Sequence, residues 1–352
     1  MNLPRKNALR RLLTCPLGWL YAVGSYADRL LDGLRGRLRL KTTVVSVGNI
    51  AVGGSGKTPF TRWLAGELTQ RGRSVGLVTR GYGGSWARLH KQPTLLSRGA
   101  GELLLSPSEA GDEAVWLARE LPRCAVAVGR VKAEAARLLE QKVAPELILI
   151  DDGLQHRRLY RDCDLVLLPA RDWQERLDGI AAPLPPGRLR ESFERLRTVA
   201  AIVLLNATAV QAKSLRRRFG QPLIVQAKTE PTELVSLTGE RLPLLELHRR
   251  EVIAFAGIAR PERFFADLNR LGARLTVYLA LPDHVDYGEE RLAKLRRLAE
   301  ENPEAILLTT AKDAVKLTEA ELPRLLYLEQ SLTMSSAAAA RLLNLIEAKL
   351  TK

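Results

Sequence analysis

The sequence predicts an α/β protein with a mostly parallel sheet that carries helices on both faces, followed by a smaller C-terminal α/β subdomain. Three observations predict this fold class. Short apolar segments typical of buried strands alternate with segments of helical periodicity. A glycine-rich turn joins the first of these strands to the first helix. The pattern weakens near residues 229–243, which contain Pro231, Gly239 and Pro243, and βα units resume after them.

The predicted elements follow in order along the chain. Apolar runs predict strands over residues 43–48, 75–79, 125–129, 146–152, 164–168 and 199–205. A helix follows the glycine-rich turn, and helical patterns cover residues 112–121 and 131–141. Beyond the weak region we expect strands over residues 252–256, 274–279 and 305–309, with helices that begin at Pro261 and Glu289. A last helix is predicted over residues 335–350.

Composition excludes several classes of protein. Apolar residues make up 46% and charged residues 26%, which excludes a disordered chain, a collagen-like repeat and a polytopic membrane protein. The formal net charge of +15 indicates an anionic partner: nucleic acid, an acidic membrane surface or a phosphorylated substrate. Aromatic residues are only 5%, which disfavours a protein that stacks nucleobases. The three cysteines are far apart in sequence, so a reducing cytosolic compartment fits.

Residues 12–27 form an uncharged stretch between basic residues. The run is short for a transmembrane helix and is broken by Pro16, Gly18 and Gly24. A signal peptide, an amphipathic helix packed on the domain, and an interfacial helix with Trp19 at the lipid headgroups stay open as alternatives. We take the interfacial helix as the prediction. The domain division is then a membrane-associating helix over residues 1–35, a core over 36–228 and a C-terminal subdomain over 229–352.

The glycine-rich turn, NIAVGGSGKTP, covers residues 49–59. A strand before it and a helix after it are the context of a P-loop, whose backbone N–H groups surround phosphate oxygens. Lys57 can reach the β- and γ-phosphates of ATP, and the Thr58 hydroxyl can hold Mg²⁺. Ala51 stands where the strict pattern has glycine. The predicted nucleotide-binding residues are Ala51, Val52, Gly53, Gly54, Ser55, Gly56, Lys57 and Thr58.

A carboxylate pair follows the strand predicted at residues 146–152. Asp151 and Asp152 come directly after four apolar residues, at the strand end where parallel α/β sheets bind their ligands. Beside a P-loop, Asp151 is the expected Mg²⁺-shell acid of the Walker B type. The alternative for such a pair is turn or helix N-cap chemistry. Together the loop and the acids predict a P-loop NTPase-like core.

The loop identifies the nucleotide and not the reaction. Thr310 to Asp313, TAKD, is similar to the base-reading motif of GTPases, so a GTPase or metallochaperone is the alternative reading. A nucleic-acid-binding ATPase is a third class. Other polar clusters favour group transfer instead: RGYGG at 80–84, GDE at 111–113, DDGLQHR at 151–157, GRLRE at 187–191 and DH at 283–284. They supply arginines for an anionic acceptor, a carboxylate base and a histidine to tune it.

These motifs, in this order, resemble those of the tetraacyldisaccharide 4′-kinases, the lipid A 4′-kinases of Gram-negative bacteria. The resemblance extends from the N-terminal segment to about residue 317 and includes SVGNIAVGGSGKTPF, TRGYGG, GDEA, DDGLQHR, GRLRE, FAGIARPERFF and TTAKDAVKL. It implies transfer of the ATP γ-phosphate to the 4′-hydroxyl of lipid A disaccharide 1-phosphate, which gives lipid IVA. It also implies a location at the cytoplasmic face of the inner membrane. We expect a monomer that does not bind nucleic acid.

The resemblance also implies roles for individual residues. Asp112 matches the general base and His284 its partner across the interdomain cleft, a pairing that suits proton transfer from a sugar hydroxyl. From sequence alone, Asp112 could instead cap a helix, and His284 could be a surface or core histidine. Glu113 is expected to assist Thr58 and Asp151 with Mg²⁺. The residues expected to face the substrate are Asp152, Gln155, His156, Arg80 and Arg190.

Three positions depart from common patterns. The family carries Ala or Thr at the Ala51 position, so alanine there is compatible with the loop. Leu154 stands where phenylalanine is common, and Arg188 where proline is common. Arg80 and Arg190 are candidates for the acceptor's phosphate because a guanidinium group binds phosphate through two hydrogen bonds. The alternative for either arginine is a solvated loop charge.

Overall fold

The computed structural model describes residues 36–52, 56–184, 187–258, 260–283 and 285–350. The N-terminal segment 1–35, with its predicted interfacial helix, lies outside these described residues. So do the four predicted site residues Gly53, Gly54, Ser55 and His284.

Strands and helices alternate along most of the described chain. The strands are β1 (Thr43–Gly48), β2 (Val75–Thr79), β3 (Thr94–Arg98), β4 (Ala125–Val128), β5 (Leu147–Asp151), β6 (Cys163–Pro169), β7 (Ala201–Leu205), β8 (Leu223–Ser236), β9 (Arg241–Pro243), β10 (Glu251–Ala256), β11 (Arg274–Ala280), β12 (Ile306–Thr310) and β13 (Leu326–Thr333). The helices are α1 (Lys57–Gln70), α2 (Trp86–Leu89), α3 (Pro107–Ala110), α4 (Asp112–Glu120), α5 (Lys132–Lys142), α6 (Ala170–Leu177), α7 (Ala209–Arg218), α8 (Pro261–Arg270), α9 (Glu289–Glu301), α10 (Ala311–Ala314) and α11 (Ser336–Glu347).

The strands join into one sheet in the order β11-β10-β12-β13-β8-β7-β6-β1-β5-β2-β4-β3, and β9 pairs with β8 beside this path. Most pairs are parallel, and the antiparallel ones are β3 with β4, β8 with β13 and β8 with β9. The central strands β1, β5 and β7 are apolar and almost fully buried, as expected of parallel strands covered on both faces. The predicted α/β class with a mostly parallel sheet is therefore confirmed.

Two faces of the sheet carry separate apolar cores. In β6, Leu165 and Leu167 contribute to the core beneath α1, α4 and α11, whereas Val166 and Leu168 contribute to the core beneath α6 and α7. A third cluster lies beneath α5 and includes Ile150 of β5. Because helices cover both faces, the loops at the strand ends are the surface that remains for a ligand site.

Strand β8 passes through the region predicted as a domain boundary. Residues from Leu223 to Ala227 pair with β7 in parallel, and from Lys228 onward the strand pairs with β13 in antiparallel. Pro231 lies at a register shift in this second half, which is where a strand tolerates a residue without an N–H group. The division into core and C-terminal subdomain stays a prediction, and the structure adds that one continuous strand spans its border.

The last helix returns to the first half of the chain. Leu342, Leu343 and Ile346 of α11 belong to the same buried cluster as Phe60 and Leu64 of α1. The last helix of the segment predicted as C-terminal subdomain therefore packs against the region predicted as the core. Among the described helices, none is long and apolar enough to cross a membrane.

Candidate active site

The candidate site lies at the carboxyl-terminal edge of the sheet, where β1 and β5 end side by side. Parallel pairing places Val47 opposite Asp151, so the glycine-rich loop and the acidic pair begin at the same level. Gly48 permits close approach of the two loops, because a Cβ there would lie 2.6 Å from the Leu154 Cβ. Gly56, just before α1, has a φ of +72°, a left-handed conformation that favours glycine. Strand order thus brings the predicted loop and acids together.

Lys57 begins α1 and has polar partners at this edge. Its Nζ donates to Asn49 Oδ1 at 3.2 Å and lies 3.4 Å from Asp152 Oδ1. Asn49 is buried, and its Nδ2 donates to the Ala51 carbonyl at 2.5 Å. The cation therefore lies at a helix N-terminus, where the helix dipole and backbone N–H groups also attract phosphate. Thr58 follows in the first turn of the same helix.

The segment that precedes Arg190 packs against the described part of the glycine-rich loop. Val52 N donates to the Arg188 carbonyl at 2.7 Å, and the Arg188 guanidinium donates to the Val52 carbonyl at 2.9 and 3.2 Å. Ala51 forms a bridge with Leu189. Arg188, where the family commonly has proline, thus holds the loop backbone through contacts that a proline ring does not offer.

Asp151 is buried at the end of β5 and faces α1. Thr61 Oγ1 donates to Asp151 Oδ1 at 3.5 Å, and Thr61 lies one turn after Thr58 on that helix. Burial raises the pKa of Asp151 to about 6, and the positive charge of Lys132 opposes this rise. Within the described ranges, no three His, Cys, Asp or Glu side chains gather at one metal site. A cation held by Asp151 and Thr58 would complete its shell with phosphate and water oxygens, as suits Mg²⁺.

Asp152 adopts a left-handed conformation with a φ of +50°, unusual for a residue other than glycine. Its carboxylate accepts hydrogen bonds from Arg190 at 2.8 and 3.0 Å, and Arg190 also donates to Asn49 Oδ1. Burial would raise the pKa of Asp152, but Arg190 and Lys57 outweigh it and hold the pKa well below its usual range. The structure therefore brings Arg190, Lys57 and Asp152 together as one charged cluster.

Lys132 is a site residue that the sequence analysis missed. Its side chain is only 2% exposed, and its Nζ donates to the carbonyls of Asp151 and Asp152 at 2.5 and 2.8 Å. Burial lowers the pKa of Lys132 to about 8, against the opposing pull of the two carboxylates. A signal was present in the sequence, because Lys132 shares a helical stripe with the buried Ala136 and Leu139.

The other predicted substrate residues surround this cluster. Gln155 Nε2 donates to the Asn49 carbonyl at 3.0 Å. Burial, with the nearby charge of Lys132, lowers the pKa of His156 to about 4, so its imidazole is neutral near pH 7. Arg80 is exposed at the carboxyl end of β2, next to β5, and its charge also acts on His156. Glutamine, neutral histidine and arginine together offer hydrogen bonds suited to a polar, anionic acceptor.

Asp112 and Glu113 begin α4 and contact the second half of the chain. Lys316 Nζ lies 2.9 Å from Asp112 Oδ2, and Lys312 Nζ lies 3.8 Å from Glu113 Oε1. Lys312 also contacts Asp283 Oδ1 at 2.9 Å. His284 lies outside the described residues, but residues on both sides of it are bound by the two lysines that contact Asp112 and Glu113. Neither lysine was predicted as a site residue.

The TAKD motif has a structural explanation. The Asp313 carboxylate is fully buried, and it accepts hydrogen bonds from the Gly257 N–H at 2.9 Å and the Thr310 hydroxyl at 2.7 Å. An aspartate bound in this way closes the turn after β12 and is not presented to a guanine base. The geometry therefore gives the GTPase alternative no support from this motif.

Fold and site together define a P-loop phosphotransferase: a glycine-rich loop between strand and helix, a lysine at the helix start and an aspartate on the adjacent strand. The family model described as Tetraacyldisaccharide-1-P 4′-kinase (LpxK) matches residues 9–347. The chain belongs to this family. It is a kinase, and its reaction, phosphorylation of tetraacyldisaccharide 1-phosphate at the 4′ position with ATP, belongs to lipid A biosynthesis.

Known relatives agree over most of the chain. The tetraacyldisaccharide 4′-kinase of Geobacter metallireducens is 37% identical over 284 residues, 79% of this chain and 80% of that protein. The tetraacyldisaccharide 4′-kinase of Hamiltonella defensa is 37% identical over 340 residues, 96% of this chain and 94% of that protein. A crystal structure of LpxK from Aquifex aeolicus in complex with ATP is similar with a TM-score of 0.78 at 30% identity, covering 97% of this chain and 99% of that one. The predicted family and reaction are thereby confirmed.

Proposed function

We propose that the cluster at the carboxyl ends of β1 and β5 is the catalytic site for this phosphoryl transfer, with ATP held by residues 51–58. The observation that carries the proposal is the position of Lys57 at the N-terminus of α1, 3.4 Å from Asp152 on the adjoining loop. A cation there can stabilise the negative charge on the γ-phosphate oxygens, both in bound ATP and in the transition state. Arriving phosphate oxygens would compete with Asp152 for this ammonium group.

We assign the Mg²⁺ shell to Thr58, Asp151 and Glu113. The support is chemical: Asp151 is a buried carboxylate facing the helix of Thr58, and Glu113 lies on the neighbouring α4. When bound, Mg²⁺ supplies positive charge to the β- and γ-phosphate oxygens. Lys132 would hold Asp151 in position, because its ammonium group donates hydrogen bonds to the backbone carbonyls of Asp151 and Asp152.

Asp112 is the proposed general base, and His284 its proposed partner. The 4′-hydroxyl oxygen bonds to the γ-phosphorus while the bond from that phosphorus to the β–γ bridging oxygen breaks and ADP leaves. The hydroxyl proton passes to the Asp112 carboxylate. Support comes from Lys316, which contacts Asp112 at the start of α4. The same lysine donates to the carbonyl of Val285, the residue after position 284.

Asp152, Gln155, His156, Arg80 and Arg190 are proposed to bind and orient the acceptor. Arg190 and Asp152 are joined by two hydrogen bonds. Each side chain therefore orients the other, in addition to its proposed contact with the sugar. Arg80 is exposed, which suits a charge that meets the acceptor's 1-phosphate on arrival.

The direct test uses the purified full chain with ATP, Mg²⁺ and tetraacyldisaccharide 1-phosphate. Label from the γ-phosphate should move to the lipid. The same lipid already phosphorylated at the 4′ position is the matched control, and it should accept no label. Hydrolysis of GTP without an acceptor, together with an unlabelled lipid, would contradict the assignment.

We also propose that residues 1–35 bind an anionic membrane surface, which would place the monomer at the cytoplasmic face of an inner membrane. The support is compositional: an uncharged stretch with aromatic residues between basic side chains. Deletion of residues 1–30 should lower binding to phosphatidylglycerol vesicles in a flotation assay. It should also lower activity several-fold on vesicle-borne substrate, and less on substrate dispersed in detergent. Equal flotation before and after deletion would contradict this proposal.

A further inference from the structure

Lys316 is a nearly buried lysine that the reaction scheme leaves without a role. Its side chain is 11% exposed, and its Nζ donates to the Val285 carbonyl at 2.9 Å. The same atom lies 2.9 Å from Asp112 Oδ2, 3.9 Å from Asp313 Oδ1 and 5.7 Å from the centre of the Tyr287 ring. A lysine ammonium carries three protons, and two oxygens, those of Val285 and Asp112, lie within hydrogen-bonding distance of it.

The partners of Lys316 come from two parts of the chain. Asp112 begins α4, which packs in the core cluster shared with α1, whereas the remaining partners lie between β11 and β13. Val315, the neighbouring residue, is buried in the core cluster that includes Ala114 and Val115 of α4. The end of α10 therefore packs on α4, and Lys316 makes a polar contact at that junction, beside the Lys312–Glu113 pair.

Asp313, which lies near Lys316, is itself buried and hydrogen-bonded. Asp313 is held by the Gly257 N–H and the Thr310 hydroxyl, at the ends of β10 and β12. The Tyr287 ring is buried beside it, and burial together with the charge of Asp313 raises the Tyr287 pKa, so the ring stays neutral. A neutral aromatic face attracts an ammonium group. Lys316 therefore contacts Asp112 from a position next to two buried groups, Asp313 and Tyr287.

We propose that Lys316 is a positioning residue for the reaction: it fixes the Asp112 carboxylate against the backbone at Val285, next to position 284. This inference rests on the proposed role of Asp112 as general base. Catalysis of phosphoryl transfer depends mainly on alignment and charge, and a displacement of about 1 Å in an aligned group can cost about 10²-fold in rate. Loss of Lys316 should therefore lower kcat and leave ATP binding intact.

The first test compares Lys316→Met, Lys316→Arg and Lys294→Met in the full chain. Lys294 is an exposed lysine of α9, so its methionine variant is the matched control. We expect Lys316→Met to lower kcat by about 10–100-fold with KM for ATP within about twofold. Lys316→Arg should recover part of that loss, and Lys294→Met should equal the parent. If Lys316→Met does not fold, Lys316→Gln, which keeps an N–H donor without the charge, takes its place.

The second test separates positioning from a merely structural contribution. Lys316→Met and Asp112→Asn are combined, and kcat is compared with each single variant. If Lys316 acts through Asp112, the double variant should be no slower than Asp112→Asn, because residues that act as one unit are not additive. Losses that multiply would overturn the positioning role, and so would an unchanged kcat in Lys316→Met.

The outcomes also separate this inference from the proposed function. A parent protein that transfers no phosphate to the lipid contradicts the function itself. If the parent and Asp112→Asn are equally active, Asp112 is not the general base, and the inference about Lys316 is contradicted as well. A parent that is active, with Asp112→Asn slow and Lys316→Met normal, overturns the inference alone.

Discussion

The two ends of the sheet are built differently. In the part around β1, β5 and β7 the strands are apolar and buried on both faces, and the charged side chains at their ends contact one another: Lys57, Asp152 and Arg190 form one cluster. At the opposite end, the edge strand β11 alternates between exposed and half-buried residues, and Tyr278 is 65% exposed. This end contributes to the site through Lys312 and Lys316, which reach across to α4.

Under the proposed residue roles, nucleotide binding and acceptor chemistry are divided between these two regions. The described members of the cluster that would hold ATP, Lys57, Asp152 and Arg190, contact one another within the core. The proposed base is oriented by contacts between the two parts, so its geometry depends on how they meet. Substitutions in the first group should affect nucleotide and rate together, and those in the second should affect kcat alone. The predictions that follow are ordered by the size of the expected effect.

The largest effect is expected for the proposed general base and its proposed partner. Asp112→Ala and His284→Ala should each lower kcat by about 10²–10⁴-fold, the usual contribution of a general base, while ATP affinity stays nearly intact. The double variant should be little slower than the worse single variant, since both changes disable one proton-transfer step. Steady-state kinetics with equilibrium ATP binding measures this. A normal kcat in Asp112→Ala, or losses that multiply, would refute the pair.

The next largest effect is expected within the cluster that would hold ATP. Lys57→Ala removes the cation at the start of α1, and we expect a rate loss on the order of 10²-fold or more, with weaker ATP binding. Asn49 and Asp152 lose their contacts with Lys57 in this variant and keep those with Arg190, so the change stays within the core cluster. The control is Lys142→Ala in the last turn of α5. Parent-like activity in Lys57→Ala would show that ATP binds elsewhere.

The smallest effect concerns stability at the junction of the two parts. Glu329 of β13 is 1% exposed and contacts Arg62 of α1, which also pairs with Glu120 of α4 at 2.8 Å. Burial raises the pKa of Glu329 from 4.5 to about 7, against the opposing charge of Arg62. The folded protein therefore binds this proton more tightly than the unfolded chain. Its stabilising contribution is complete below pH 4.5 and is lost as the pH rises through 7.

Chemical denaturation of Glu329→Gln from pH 5 to pH 8 measures this contribution. The parent should lose up to about 1.4 kcal/mol of unfolding free energy per pH unit in that window through Glu329, and the variant should lack this slope. Glu301→Gln, which removes an exposed carboxylate of α9, is the matched control and should keep the parent slope. Identical slopes in the parent and in Glu329→Gln would mean that the carboxylate is ionised throughout the window.

The parts of the fold that were predictable are those specified by local pattern. The strands β1 and β5 are consecutive apolar runs, and the structure has them at the predicted positions. The glycine-rich motif after β1 was equally readable, although its residues 53–55 lie outside the described residues. The strands β8 and β13 were missed because their sequences mix apolar and charged residues. Glu329 inside β13 is typical of an exposed position, but Arg62, far away in sequence, makes its burial possible.

The residues of the candidate site likewise fall into those that local sequence predicted and those that it did not. Asp112, Asp151 and Lys57 belong to motifs whose spacing and chemistry can be read directly. Lys132 and Lys316 act through carbonyls and carboxylates that only the fold brings near them. No short pattern around either lysine specifies a partner that lies on another element of the fold. Their contacts follow from strand order, which depends on long-range packing that the local sequence does not encode.

The pairing of β8 with β13 has a consequence for the modularity of the chain. Lys228 lies directly opposite Thr333, so the chain leaves the core and returns to it at neighbouring positions. Everything between them is topologically an insertion, and α11 completes the core after the return. A short turn joining β8 to β13 at that pair would close the core without spanning any gap. We therefore expect that residues 229–332 can be removed as one unit while the nucleotide cluster keeps its own supporting helices.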